Sequence, residues 1–278
     1  MKCAITGANG YVGSLLVNAL RQRGYVIYEL RRDGAKFKSE FIVSYSLETK
    51  LDFAYLKNID VLIHCAYDFH QTSWMEIHRV NVQGSLQLFE AARAARVKKV
   101  IMISTMSAYN GCKSMYGRAK YEIEMAANNL NADIVRPGLI FGASPGGFVG
   151  MLLKMIDRFP VAPIFGDGEQ KLYLTHETDL SLLIHELTLN PMKRGVISAV
   201  YQDAMTYKSI MKKLAQQKNK NLFLIHVPWH LVHAGIKGLE VLGLSMGLRS
   251  DSLISLLNQN PNPDFEAMRK VGVSFRPF

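Results

Sequence analysis

Cysteine and long apolar runs are the two features that this chain has least of. It carries three cysteines in 278 residues, Cys3, Cys65 and Cys112, and their spacing forms no paired pattern. An odd, unpaired set argues against a disulfide framework and favours a reducing compartment. Since no stretch of 18 uncharged apolar residues occurs, no segment is expected to span a bilayer. The opening "MKCAITGANG" has the pattern of a strand and a turn rather than a signal sequence, so we expect a cytoplasmic protein.

Patterns for binding metals or nucleic acids are also missing. His230 and His233 share a helical face, but no glutamate lies between them and no third ligand is evident, so no metal site is predicted. The formal charge is +10, yet the lysines and arginines are scattered rather than gathered into a basic stripe. Scattered charge argues against nucleic acid as a partner. It leaves small anionic ligands, such as phosphorylated molecules, as expected partners.

What the chain does contain is an alternation of short apolar runs with amphipathic segments. Six strands are predicted from the runs "KCAITG", "YVIYEL", "FIVSYSL", "VLIHCAY", "KVIMIS" and "ADIVRP". Strands that alternate with helices predict an α/β fold with a doubly wound parallel sheet that is covered on both faces. The alternation loosens after about residue 140. We therefore expect a sheet domain over 1–145 and a smaller, mostly helical substrate-binding lobe over 146–278, with segments around 170–200 returning to the sheet domain.

The first strand-to-helix turn, "TGANGYVG", has three glycines spaced three apart. Glycine permits the tight turn and lets backbone N–H groups approach a pyrophosphate, and the helix N-terminus adds a favourable dipole. This placement predicts a dinucleotide-binding (Rossmann) domain. The expected cofactor contacts in the turn are Gly7, Asn9, Gly10, Tyr11, Val12 and Gly13.

The end of the second strand, "YELRRD", indicates which dinucleotide is bound. Folds that bind NAD commonly place an acidic residue here, where it accepts a hydrogen bond from the ribose 2′-hydroxyl. Arg31 occupies the corresponding position, with Arg32 beside it. Because arginine pairs well with a phosphate, we predict that NADP(H) is preferred. Glu29 and Asp33 lie close enough to keep NAD possible.

Seven segments occur in an order that is typical of one family: "TGANGYVG", "HCAY", "NVQGSLQLFEAA", "MISTMSAY", "YGRAK", "RPGLIFG" and "FGDGEQKLYLTHETDL". In these segments the chain resembles the extended short-chain dehydrogenases/reductases of the NAD-dependent epimerase/dehydratase family. In that family a Tyr-x-x-x-Lys helix carries the chemistry, which implies catalytic roles for Tyr116 and Lys120. A four-residue spacing puts both side chains on one helical face. The Lys120 ammonium is expected to lower the pKa of the Tyr116 phenol and to bond the nicotinamide ribose.

The resemblance implies further site residues. Thr105 lies four residues before an aromatic residue, as the family's catalytic hydroxyl does, with Ser104 and Ser107 as alternatives. Asn81 matches an asparagine placed near the active site, although a helix N-cap is the other interpretation. The remaining implied cofactor contacts are Cys65, Ala66, Tyr67, Ser104, Pro137 and Gly138. The acidic residue that often contacts adenine is missing after the third strand, where Tyr45 or Ser46 stands instead.

The family further implies an oxidoreductase or epimerase acting on a hydroxyl or ketone of a nucleotide-diphosphate sugar, and a homodimer. Two alternatives stay open: an NADP-dependent ketoreductase of a non-sugar carbonyl, and a catalytically silent NADP-binding sensor or scaffold. The mostly apolar segment 228–248 is predicted to pack in the lobe, to form a dimer face or to lie at a membrane surface. Candidate substrate contacts in the lobe are Phe148, Arg158 and Tyr173.

Overall fold

The computed structural model describes residues 1–130, 132–143, 145–190, 195–241 and 249–278, with Val241 described by its backbone alone. The strands are β1 (Lys2–Thr6), β2 (Val26–Arg31), β3 (Ile42–Ser44), β4 (Val61–His64), β5 (Lys99–Ile103), β6 (Asp133–Pro137), β7 (Leu139–Phe141), β8 (Val161–Phe165), β9 (Lys171–Leu172), β10 (Leu174–His176), β11 (Val196–Ala199), β12 (Met205–Thr206) and β13 (Phe223–Val227). The helices are α1 (Tyr11–Gln22), α2 (Trp74–Ile77), α3 (Gly84–Ala94), α4 (Met115–Asn128), α5 (Gly147–Arg158), α6 (Glu177–Leu189), α7 (Tyr207–Gln217), α8 (Trp229–Val241), α9 (Ser250–Leu257) and α10 (Glu266–Val271). A π-helical segment, His78–Gln83, joins α2 to α3.

Seven strands form one parallel sheet in the order β11-β6-β5-β4-β1-β2-β3, which confirms the predicted doubly wound α/β fold. The sequence predicted six of these strands, and β11, which pairs with β6, is the addition. Strand order reverses between β1 and β4. In such sheets ligands bind in the crevice at the carboxyl ends of the strands on either side of that reversal. The glycine turn follows β1 and therefore opens onto this crevice.

Both faces of the sheet are covered by apolar cores, as continuous apolar strands require. On one face Leu16 and Leu20 of α1 pack with Leu183 of α6, and all three are fully buried. On the other face Leu62 of β4 packs with Leu88 of α3. Burial on both sides holds the strand ends in fixed positions, and the strand ends carry the candidate site.

Part of the chain beyond residue 145 lies against the sheet. Helix α6 packs beside α1, and β11 extends the sheet next to β6. The C-terminal tail also returns, since Arg276 forms an ion pair with the buried Asp179 at 2.6 Å. The division at residue 145 stays a prediction.

The rest of the second half has its own core, built from α5, α7 and α9 together with short strands. Three two-stranded sheets, β7–β10, β9–β12 and β8–β13, occur here in addition to the predicted helices. These strands are two to five residues long, which is too short for alternation to distinguish them from loops. The helix predicted around 228–248 begins at Trp229, and residues 242–248 lie outside the described part of the chain.

Within the described ranges, no helix is long and apolar enough to cross a bilayer. The described residues also contain no group of three or more histidine, cysteine, aspartate or glutamate side chains that could hold a metal ion.

Candidate active site

The glycine turn is packed so closely that side chains would not fit. Gly7 has a φ of +63°, which favours glycine, and a Cβ there would lie 2.9 Å from the Cα of Ala66. A Cβ on Gly13 would lie 2.1 Å from the carbonyl oxygen of Gly7. The Gly10 amide donates to that same carbonyl at 2.9 Å. The turn therefore needs glycine at these positions whether or not a ligand is bound, and it places the start of α1 at the crevice.

A cavity of about 470 Å³ runs along the crevice from this turn. Its lining contains most of the cofactor contacts expected from the sequence: Gly7, Asn9, Gly10, Tyr11, Val12, Gly13, Arg31, Arg32, Tyr45, Ser46, Cys65, Ala66 and Tyr67. The hydroxyl of Tyr45 is buried in this lining and has no hydrogen-bond partner among the described residues. A buried orphan hydroxyl and a turn that excludes Cβ atoms both fit a dinucleotide, whose adenosine end would lie toward Tyr45.

The two arginines at the end of β2 differ in how far neighbouring carboxylates occupy their guanidinium groups. Arg31 binds both oxygens of Asp33, at 2.5 and 2.9 Å, and also reaches Glu29 at 3.2 Å. Its guanidinium stacks over Phe37 at 4.5 Å. Arg32 is 61% exposed, and its nearest described carboxylate, Asp68, lies 3.8 Å away. The cation with free hydrogen-bonding capacity is therefore Arg32 rather than Arg31, on which the sequence argument had rested.

The predicted catalytic side chains meet at the carboxyl end of β5. Tyr116 and Lys120 share a face of α4, and Thr105 follows β5 near enough to the Tyr116 phenol for its hydroxyl to affect the pKa of that phenol. Lys120 is buried, and its ammonium donates to the carbonyl of Ile103 at 2.8 Å. Tyr116 and Lys120 thus lie on one face of α4, as their spacing predicted, and the catalytic roles of Thr105, Tyr116 and Lys120 stay predictions.

The protonation of this group differs from the expectation. Burial raises the pKa of Tyr116 to about 12, and the Thr105 hydroxyl opposes that rise. Burial lowers the pKa of Lys120 to about 8. The Tyr116 pKa is therefore raised rather than lowered, because burial is the largest influence on it, while the Lys120 ammonium is directed at the Ile103 carbonyl. At neutral pH the phenol is protonated and can donate.

The neighbouring serines face elsewhere. Ser104 donates to the buried carboxylate of Glu124, which is also paired with Arg136. Ser107 donates to the carbonyl of Ser255 at 3.0 Å. Thr105 is thus the hydroxyl of this stretch that affects the pKa of Tyr116, and any contact of Ser104 with a dinucleotide would fall to its backbone.

Two aromatic rings of the cavity lining pack against the ring of Tyr116. Tyr67 lies edge-on to Tyr116, with ring centroids 4.8 Å apart, and Phe69 lies at 5.5 Å. Tyr67 and Phe69 line the cavity, whereas Thr105, Tyr116 and Lys120 are not part of its lining. The sequence analysis included Tyr67 but missed Phe69, since a lone aromatic residue in a loop carries no pattern. We call Tyr67 and Phe69 the aromatic wall.

Asn81 acts on the loop that carries this wall. Its side-chain oxygen accepts from the Asp68 amide at 2.6 Å, and its side-chain nitrogen donates to the Asp68 carbonyl at 3.1 Å. The residue is fully buried within the π-helical segment rather than at a helix N-cap. Asn81 is thereby placed to position the loop, and it touches neither Thr105 nor Tyr116 through a side-chain hydrogen bond.

The lobe supplies two residues that the sequence analysis missed. Asp251, at the start of α9, accepts the amides of Met115 and Tyr116, each at 2.8 Å. Arg249 donates to the carbonyls of Phe69 and Gln71. These bonds hold both the helix that carries the phenol and the loop that packs against it. No local signal reveals them, since an aspartate at a helix start is ordinarily interpreted as serving its own helix.

The remaining residues that the sequence predicted as contacts lie outside the lining of the cavity. Pro137 and Gly138 are at the carboxyl end of β6, where Gly138 donates to Thr175 at 2.9 Å, and neither lines the cavity. Phe148 and Tyr173 are partly buried, near Tyr207 and Phe265 respectively. Arg158 is exposed and lies over Phe159.

Comparison with known proteins relates this geometry to a family. The model of the NAD dependent epimerase/dehydratase family matches residues 3–195. A ceramide reductase of Caulobacter vibrioides is 31% identical over 234 residues, which cover 81% of this chain and 73% of the reductase. A decarboxylating sterol-4-alpha-carboxylate 3-dehydrogenase of Mus musculus is 22% identical over 200 residues, which cover 63% of this chain but only 55% of the dehydrogenase.

Among solved structures, MoeE5 in complex with UDP-glucuronic acid and NAD superposes with a TM-score of 0.75 at 20% identity, covering 100% of this chain and 95% of MoeE5. That likeness establishes the fold. Together with the match over residues 3–195, it confirms the resemblance seen in the sequence: the chain is an enzyme of the extended short-chain dehydrogenase/reductase type and belongs to the NAD-dependent epimerase/dehydratase family.

Proposed function

We propose that this enzyme reduces a carbonyl group with a nicotinamide dinucleotide, using Thr105, Tyr116 and Lys120. The observation that carries the proposal is the position of Tyr116, whose ring packs 4.8 Å from Tyr67 and 5.5 Å from Phe69 of the cavity lining, and the pKa of its phenol is raised by burial to about 12. A phenol that keeps its proton at neutral pH suits proton donation, which a reduction requires of this residue first. An epimerase would instead begin by removing a proton from an alcohol.

Each residue has one task in the reduction. When bound, the dinucleotide supplies the hydride that the carbonyl carbon receives. Thr105 holds the carbonyl oxygen beside Tyr116, and Tyr116 donates its proton to that oxygen, which gives the alcohol. Lys120, whose pKa burial lowers to about 8, can return a proton to the resulting phenolate. Water then reprotonates Lys120.

A carbonyl on an apolar, lipid-like body is the substrate class that we favour. The aromatic wall presents Tyr67 and Phe69 beside the reacting phenol. Neither lobe arginine considered lines the cavity: Arg249 donates to backbone carbonyls, and Arg158 lies at the surface beside Phe159. The ceramide reductase and the sterol dehydrogenase are both named for lipids. A nucleotide-diphosphate sugar is the second candidate, supported by the fold shared with MoeE5.

Turnover assays with NADPH separate the two candidates. We expect oxidation of NADPH with long-chain keto lipids and none with keto nucleotide sugars. Tyr116→Phe should lower kcat by a factor of about 10²–10⁴, the usual range for a lost general acid. Tyr121→Phe, on the same helix, is the matched control and should keep full activity. Turnover by Tyr116→Phe would overturn the mechanism, whereas turnover of sugars alone would overturn only the substrate class.

For the cofactor we propose NADP(H) in preference to NAD(H), with Arg32 as the main contact of the 2′-phosphate. Support comes from its exposure at the cavity, while Asp33 and Glu29 occupy Arg31. Arg32→Ala should lower kcat/KM for NADPH by about 10- to 100-fold, as expected for a lost hydrogen bond to a charged group, and leave NADH unaffected. Lys38→Ala is the control. Equal losses with both dinucleotides would contradict a 2′-phosphate contact.

Two further features stay predictions. A homodimer is expected by resemblance, and light scattering of the purified chain measures its mass. A cytoplasmic location is expected from the composition, and fractionation of cells that produce the protein tests it.

A further inference from the structure

One side of a small sheet in the lobe presents apolar side chains to solvent. Strands β8 and β13 are parallel, with Phe223 opposite Val161 and Ile225 opposite Pro163. Since side chains alternate along a strand, Val161, Phe223 and Ile225 lie on one side of this sheet. They are 39%, 69% and 54% exposed. Phe159, two residues before Val161 and 52% exposed, extends the same row.

The opposite side of this sheet is packed over the first part of both strands, whereas at their far end Phe165 is buried on the side of Val161 and His226 is exposed on the side of Leu224. Ala162 and Ile164 are fully buried in the lobe core, and Leu224 packs against that core. The side that carries Val161, Phe223 and Ile225 is therefore exposed on a sheet whose opposite side is anchored in the lobe core. We name Phe159, Val161, Phe223 and Ile225 the outer face. After β13 the chain enters α8, whose first turn exposes two more large apolar side chains, Trp229 and Leu231.

Cations gather at one end of the outer face. Because β8 and β13 are parallel and in register, the segments leading into them lie side by side. These segments carry four exposed cations: Lys154, Arg158, Lys218 and Lys220. Asp157 is the single acidic residue in 151–161 and 216–228, and Lys218 binds it at 3.0 Å. The outer face is thus apolar and has positive charge at the end where β8 and β13 begin. We call Lys154, Arg158, Lys218 and Lys220 its positive rim.

We propose that the outer face and its positive rim dock this enzyme onto the surface of a bilayer that contains anionic phospholipid. Large apolar and aromatic side chains flanked by lysine and arginine are the combination that binds reversibly at such an interface. A second copy of the chain is the other occupant that an apolar face could take, and the test below distinguishes it from a bilayer. Docking needs no turnover, so this proposal stands apart from the proposed function.

Vesicle flotation of the full chain tests the proposal. The probe is phosphatidylcholine vesicles with and without phosphatidylserine, at low and at high salt. We expect binding to the anionic vesicles that weakens with salt, as screening requires. The double variant Phe223→Ser/Ile225→Ser should lower the partition coefficient at least tenfold. Met75→Ser, at a site that is 73% exposed on α2, is the matched apolar control and should bind like the wild type.

A charge variant keeps the test decisive if the serine variant folds poorly. Arg158→Glu/Lys220→Glu should lose the preference for anionic vesicles while its thermal unfolding stays unchanged. The proposal is overturned if the wild type ignores anionic vesicles, or if both double variants bind them as the wild type does. It is also overturned if light scattering shows a dimer that Phe223→Ser/Ile225→Ser dissociates while the wild type binds no vesicles. In that case the outer face joins two copies of the chain.

Discussion

The sheet domain and the C-terminal lobe both reach the candidate reaction centre, but they contribute different atoms to it. The sheet domain supplies side chains that would meet substrate or cofactor, above all Thr105, Tyr116 and Lys120. The lobe supplies Asp251 and Arg249, which bind backbone amides and carbonyls of the sheet domain. One region therefore carries the chemistry, and the other holds it in position. Substitutions in the two regions should differ in kind as well as in size.

Replacing Lys120 tests the sheet-domain side of this comparison and should have the largest effect. Lys120→Met should lower kcat by about 10²-fold or more, since it removes the group that resupplies the proton. It should also stabilise the fold. A shift of the pKa from 10.5 to about 8 costs roughly 3 kcal/mol at pH 7, and losing the bond to Ile103 offsets part of that gain. Urea unfolding at pH 7 should show a net gain of about 1–2 kcal/mol.

The difference in stability between the wild type and Lys120→Met should depend on pH. The pKa of Lys120 is lower in the folded chain than in the unfolded one, so the unfolded chain binds one more proton between pH 8 and 10.5. Its contribution to stability is thus fully present above pH 10.5 and is lost as the pH falls through 8. Between those values the wild type should gain up to about 1.4 kcal/mol per pH unit relative to Lys120→Met. Parallel stability curves for the two proteins would show that the ammonium is not desolvated.

A pair of glycine substitutions compares the two regions through the backbone. Gly13→Ala puts a Cβ 2.1 Å from the Gly7 carbonyl, so the turn must shift. The free energy of unfolding should fall by about 1–3 kcal/mol, and dinucleotide binding should weaken with it. Gly235→Ala, in α8 of the lobe, meets no atom within 4 Å and should stabilise by up to about 1 kcal/mol. Chemical unfolding and fluorescence titration with NADPH measure both effects.

Asp251→Asn tests the positioning role of the lobe and should have the smallest effect on stability. Asparagine keeps one acceptor for the amides of Met115 and Tyr116, so unfolding should become easier by about 0.5–1 kcal/mol. We expect kcat to fall several-fold while the affinity for NADPH stays unchanged. Loss of the carboxylate charge should move the alkaline limb of the kcat–pH profile to lower pH, which a merely structural role would not do.

The control for this variant is a carboxylate in an equivalent position away from the site. Asp264 accepts the Glu266 amide at 2.8 Å at the start of α10, as Asp251 does for α4. Asp264→Asn should cost less stability, because Asp264 is exposed and accepts a single amide, and should leave both kcat and its pH profile as they are. If the two variants behave alike in turnover, the lobe does not position the phenol.

The parts of this site that the sequence predicted are those specified by short spacings. The glycine turn, the six apolar strands and the Tyr116–Lys120 pair each depend on residues a few positions apart, so local patterns revealed them. Thr105 was placed by its distance from an aromatic residue, and the structure brings it to Tyr116. The family and the fold followed from these motifs because the motifs occur in sequence order.

The parts that escaped prediction depend on contacts between distant residues. Asp251 lies 135 positions from Tyr116, and Arg249 lies 180 from Phe69, so no local pattern links them. The protonation of Tyr116 was mispredicted because spacing gives the distance to an ammonium but not the burial of a phenol. The sequence analysis also missed that Asp33 binds the Arg31 guanidinium. This pairing is local, because the two residues are only two positions apart, so the sequence could have revealed it.

The most direct test of the central claim is a crystal structure of the chain with bound NADPH. The account predicts that the pyrophosphate lies against the backbone amides of the turn from Gly10 to Gly13. It also predicts that Tyr67 and Phe69 move aside or flank the nicotinamide, so that its ring comes into contact with the Tyr116 hydroxyl. Density for the dinucleotide outside the crevice, or a nicotinamide kept from Tyr116 by an unmoved aromatic wall, would contradict it.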